Sequence, residues 1–153
     1  MEQGQVIDLH EPNIQDDEGI TEPIIGDIRE DWDSVRPCLQ LLLADCQNLS
    51  FRVEDVYAEV VAGQAVYWKA PEGFVVSTTE VDQFTNRKTF LIWIAWAHEQ
   101  GNKNMLKYYP FFRSVAKHLG MEALEVRTPH NAVEHILLEA GWKLDTVVYR
   151  LEV

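Results

Sequence analysis

From residue 31 onward the apolar positions recur at helical spacing: Val35, Cys38, Leu39, Leu42, Leu43 and Cys46 share one face, with Asp31 or Asp33 placed to cap its start. A second helix is predicted over residues 52–61, where Val53, Val56, Tyr57 and Val60 make one stripe before Gly63. The period then changes. Residues 65–68, 73–79 and 88–97 read as three consecutive antiparallel strands, divided by Pro71-Glu72-Gly73 and by the polar turn at 82–87. The third, KTFLIWIAWA, is apolar almost throughout, as a central strand covered on both faces should be. Trp93 and Trp96, three apart on it, are expected to point to opposite faces of the sheet.

Beyond the polar stretch HEQGNKN a helix is predicted over 104–119, closed by Gly120 and kinked or restarted at Pro110. A strand at 123–127, a helix at 131–140 capped by Gly141, and an alternating final strand at 142–153 complete the order. Trp68 lies on a more peripheral strand, and Tyr108, Tyr109, Phe111 and Phe112 are more aromatics than one helix face hides. Some of these five are therefore expected to meet a partner or an open groove of the sheet.

Residues 1–30 have a different character. They hold nine carboxylates against Arg29, which is eight of the chain's twelve net negative charges, and Pro12, Pro23, Gly4, Gly19 and Gly26 interrupt any helical period. The division expected is an acidic extended arm over 1–30 and a folded domain over 31–153. Composition alone makes the arm a solvated tail; its Ile7, Leu9, Ile14, Ile20, Ile24 and Ile25 also fit an arm laid on a protein partner. The partner surfaces expected are this arm and the aromatic helix 104–119, whose Lys107, Arg113, Lys117 and His118 would suit the acidic arm of another copy of the chain.

The net charge of −12 argues against a nucleic-acid partner, since phosphate contact depends on clustered Lys and Arg. No run approaches the roughly 20 uncharged apolar residues of a membrane span, and the N-terminus carries no signal-peptide pattern. Cys38 and Cys46 are eight apart on one helix, too far along its axis for a disulfide. His130 and His135, five apart, share no helix face, and no zinc-type spacing occurs, so no metal is expected. His98 reads as a loop histidine at the end of the central strand.

The order of elements, with AVEHILLEAGW followed by a strand bearing Tyr149, resembles the GNAT acetyltransferase superfamily over residues 31–153. Within it, the chain looks most like the GNAT-like proteins of tailed bacteriophages, some of them virion components. The resemblance implies a mixed, largely antiparallel α/β (α+β) sheet flanked by helices on both faces, in a protein of the virion or the host cytoplasm. It also places the superfamily's R/Q-x-x-G-x-G/A loop, whose backbone N–H groups bind the pyrophosphate of acetyl-CoA, on Gln100, Gly101, Asn102, Lys103, Asn104 and Met105. Gln100 fits. Lys103 and Met105 stand where the backbone needs small residues, although Lys103, Gly101 and Asn102 still suit an anion.

The superfamily's acid tyrosine, four residues before the glycine of the closing helix, corresponds to Leu137, which has no proton to give. His135 and Tyr149 are the nearby substitutes, and Glu80 or Asp82, in the preceding turn, is the candidate base, because the strand from Lys88 to His98 holds no ionisable residue between them. The expectation is thus a GNAT-fold interaction protein with a degenerate site and no cofactor. The alternative is an N-acyltransferase that uses acetyl-CoA on an amine.

Overall fold

The computed structural model describes residues 22–46, 49–99, 106–128 and 133–153. Residues 1–21 of the expected 1–30 arm and the loop from Gln100 to Met105 lie outside the described residues, whereas Ile24 and Ile25 of that arm form a strand and Ile28 begins a helix.

The sheet has five strands in sequence order: β1 (Ile24–Ile25), β2 (Ala65–Ala70), β3 (Gly73–Val81), β4 (Lys88–Ala97) and β5 (Ala123–Val126). The first four pair antiparallel and β5 joins β4 in parallel, so the expected mixed and largely antiparallel α/β sheet is present. Parallel pairing requires a crossover, and the helix between β4 and β5 supplies it. Helices α1 (Ile28–Asp45) and α2 (Val53–Val61) cover one face, and α3 (Tyr109–His118) covers the other.

Helix α1 begins a turn earlier than its capping pattern suggested. Asp27, not Asp31 or Asp33, is the N-cap, its carboxylate accepting from the Arg29 N–H at 2.9 Å. The earlier start carries Ile28 into the core, where it is 2 % exposed, and burying an isoleucine contributes roughly 1.5–3 kcal/mol. Asp31, released from capping, accepts instead from the Tyr67 hydroxyl at 3.1 Å and pairs with Lys69 at 2.9 Å, tying α1 to the sheet. Burial first, and then the Asp31 charge, push the Tyr67 phenol well above its ordinary range.

Two clusters form the core. On the α1–α2 face, Leu39 and Val56 meet Tyr67, Phe74, Val76 and Ile94. On the α3 face, Trp68, Val75 and Phe90 meet Tyr108, Phe112 and Ala116. Trp68 is therefore core, and its indole N–H donates to the buried Ser77 hydroxyl at 2.8 Å.

Trp93 and Trp96 both pack against the α1–α2 cluster, contrary to the strict alternation expected of them. The register explains this: Val76 faces Ile94 while Ser77 faces Ile92, so Trp93 is an extra, bulged residue on β4. One inserted residue turns a spacing of three into a same-face pair.

Pro110 falls at the start of α3, after a 3-10 turn over Leu106–Tyr108, where its missing N–H costs nothing, so the helix restarts there rather than kinking. The helix α4 (Glu134–Glu139) ends at Gly141, which adopts a left-handed φ of 92°. The predicted strand over 142–153 is not a strand here: residues 143–153 pair with nothing in the sheet and are all exposed. Alternation shows which side chains share a face, not which edge a strand joins.

Candidate functional site

Strands β4 and β5 pair only from Thr89 to Ile92 against Ala123 to Val126, and β4 runs on to Ala97 paired with β3 alone. The two strands part at the Trp93 bulge, and a cavity of about 80 Å³ opens on the α3 face. Ile92, Ala95, Leu124 and Val126 form its sheet wall. Tyr109 of α3, Leu137 of α4 and Trp142 close it from above.

Among the described residues the lining holds no carboxylate, amine, imidazole or thiol. Its polar atoms on side chains are two. The Tyr109 hydroxyl donates to the Ala140 carbonyl at 3.4 Å, and its ring meets the Trp142 ring edge-on at 5.9 Å. The Trp142 indole N–H is buried and has no hydrogen-bond partner among the described residues, a state that costs about 1–3 kcal/mol. Tyr109 was not among the acid candidates drawn from the sequence. It arrives from α3, so spacing within the closing helix gave no signal for it.

The three candidate catalytic residues are placed elsewhere. His135 is exposed on α4. Tyr149 is 91 % exposed in the C-terminal segment. Glu80 is held by Arg127 through two hydrogen bonds of 2.6 and 3.1 Å, and Arg127 also meets Glu125 at 2.7 Å. These bonds, the Glu80 contact foremost, raise the Arg127 guanidinium further above its ordinary value. Both Glu80 oxygens are engaged, which leaves a surface ion-pair cluster and not a poised base. Leu137, by contrast, does line the cavity, in the position the resemblance assigned to the acid.

At the neighbouring end of β4, the Glu72 carboxylate in the β2–β3 turn accepts from the Tyr108 hydroxyl at 2.5 Å and from the Lys107 ammonium. Burial alone would raise the Glu72 carboxyl, but these two donors outweigh it and hold the group below its ordinary value. The same contact, after burial, pushes the Tyr108 phenol up. His98 donates its backbone N–H to the Glu72 carbonyl at 2.8 Å, so the turn, the end of β4 and the start of α3 are bound together. Among the described residues no group of His, Cys, Asp and Glu side chains is arranged to hold a metal ion.

The fold is that of the GNAT acetyltransferases. Solved structures with this fold include a ribosomal-protein-alanine N-acetyltransferase from Brucella melitensis biovar Abortus 2308, at 15% identity and TM-score 0.59, covering 87% of this chain and 100% of that one. An acetyltransferase from Trypanosoma brucei matches at 10% identity and TM-score 0.63, with 86% of this chain and 99% of the other covered. An aminoglycoside acetyltransferase from an uncultured soil metagenomic sample, solved with sisomicin, matches at 12% identity and TM-score 0.59, over 86% of this chain and 95% of that one. No protein-family model matches the sequence, and no curated protein matches it. At these identities the likeness establishes the fold.

Proposed function

We propose that this chain uses the GNAT fold as a scaffold for binding protein partners, in the setting of a bacteriophage virion or its assembly, and no longer transfers acyl groups. One observation carries the reading: the cavity where β4 and β5 part is lined by Leu137 and, among the described residues, offers a reacting group no ionisable side chain beyond a tyrosine already bonded to Ala140. Acyl transfer to an amine needs a proton accepted from the nucleophile and another delivered to the leaving thiolate. An apolar wall does neither. The replacement of small residues by Lys103 and Met105 in the phosphate loop points the same way.

The partner surfaces that fit are the acidic arm and the outer face of α3, where Arg113, Lys117 and His118 are exposed. The aromatics of α3 are not part of that face. Tyr108 and Phe112 are buried, Phe111 packs on Trp68, and Tyr109 lines the cavity.

A second reading is kept by Tyr109, which lines the cavity and whose hydroxyl is held by one long bond to the Ala140 carbonyl. If this group replaced the missing acid, the chain would be an N-acyltransferase using acetyl-CoA. A thiol-release assay with acetyl-CoA and a panel of primary amines, including polyamines, aminoglycosides and peptide N-termini, separates the two. The scaffold reading predicts thiol release no faster than the enzyme-free rate. Amine-dependent release that Tyr109→Phe abolishes would overturn it.

A further inference from the structure

The end of the sheet where β2 begins carries both a knob and a groove. Ala65 of β2 faces Thr78 of β3, and β3 runs on to Val81, so the β3–β4 turn stands out past the start of β2. Phe84 sits in that turn and is 88 % exposed. The backbone beneath it is fixed: the Asp82 carboxylate accepts from the Phe84 and Thr85 N–H groups, both at 2.9 Å, and the Asn86 N–H donates to the Asp82 carbonyl at 2.8 Å. Asn86 completes the turn with a left-handed φ of 62°. An aromatic held in water by an ordered turn adds nothing to its own core. It has little freedom to lose on binding, which is the form of an interface anchor.

The groove lies between the start of α1 and the end of α2. Ile25, Ile28, Val60, Val61, Ala65 and Tyr67 are among the residues that line its roughly 450 Å³. Ile25 is 67 % and Val61 38 % exposed, so the single chain leaves this apolar wall uncovered. Phe84 carries no polar atom on its ring, and an apolar wall is what such a ring needs.

Charge matches the two. Arg87 and Lys88, at the base of the knob, are exposed and form no ion pair with another described residue. The groove is rimmed by Asp27 and by the exposed Glu30 and Glu59, against Arg29 alone. Helix α2 also ends there, its carbonyl end negative and its last turn free of basic residues. A cationic knob and an anionic groove fix the orientation in which two copies can meet.

We infer that the groove receives Phe84 of a second copy, and that the exchange is reciprocal. Knob and groove share one end of the sheet, so a two-fold axis there places each Phe84 in the other copy's groove. Away from this end the two copies, each of net charge −12, repel, which confines the contact to it. The pairing is independent of whether the cavity between β4 and β5 retains any chemistry.

Sedimentation velocity on the full chain tests it. The mass is expected to rise from 17.7 kDa toward twice that value with concentration, and to stay at the single-copy value in Phe84→Ser and in Val61→Arg, which sets a cation against Arg87 and Lys88. Both side chains are exposed and the turn is held by Asp82, so circular dichroism should show both variants folded. A photoreactive benzophenone side chain in place of Phe84 gives the second readout. Irradiation should yield a covalent dimer on a denaturing gel, cross-linked within residues 22–29 or 60–67. A full chain that stays monomeric up to about 1 mM, a dimer that survives either substitution, or cross-links confined to other segments overturns the proposal.

Discussion

Ser77 shows how a single polar residue can be fixed by its neighbour. It is 1 % exposed, and its hydroxyl is the acceptor for the buried Trp68 indole. Removing one partner leaves the other unsatisfied, which costs about 1–3 kcal/mol. Ser77→Ala is therefore expected to lower unfolding stability by that amount in urea denaturation, whereas Ser114→Ala on the exposed face of α3 should change it by less than about 0.5 kcal/mol. None of this was legible in the sequence, because the pair is nine residues apart and meets only once β2 and β3 are in register. Trp93 and Trp96 teach the same lesson: a bulge is a property of two strands, and a pattern read along one strand misses it.

Elements were more legible than residues. The apolar run of β4, the stripes of α1 and α2 and the Pro110 restart all follow from local pattern and backbone chemistry. Two elements did not follow. β1 is only two residues long and exists because Ile24 and Ile25 find Lys69 and Trp68 on β2. The C-terminal strand failed because alternation marks a shared face and not a pairing: residues 143–153 join no strand of the sheet.

At the β2–β3 turn, Gly73 is required by packing, since a Cβ there would lie 1.8 Å from the Trp96 carbonyl oxygen. Gly73→Ala must displace β4, and a loss of about 1–3 kcal/mol is expected in the same denaturation measurement. The adjoining Glu72 gives a pH signature. Its folded pKa lies below its ordinary 4.5, so its contribution to stability is complete above that value and is lost as pH falls through the lower folded one. Stability measured from pH 6 to pH 3 should therefore fall less steeply in Glu72→Gln than in the parent chain.

At the scale of the whole molecule, the order of elements and the closing helix pointed to the GNAT fold, and the sheet topology confirms it. The candidate site was legible only in part. Leu137, singled out by its spacing from Gly141, lines the cavity, while His135, Tyr149 and Glu80 are not among its described lining residues. Tyr109 was missed because it reaches the cavity from a different helix.

The central claim is that the fold persists without its cofactor. Thermal unfolding with and without 1 mM acetyl-CoA tests it most directly, because a ligand bound by the native state must stabilise it. A site with a Kd of about 10 μM would add about 2.7 kcal/mol, a rise in Tm of roughly 5–10 °C for a chain of this length. The scaffold account predicts no rise beyond that given by an equal concentration of inorganic pyrophosphate. A rise of several degrees specific to acetyl-CoA would contradict it.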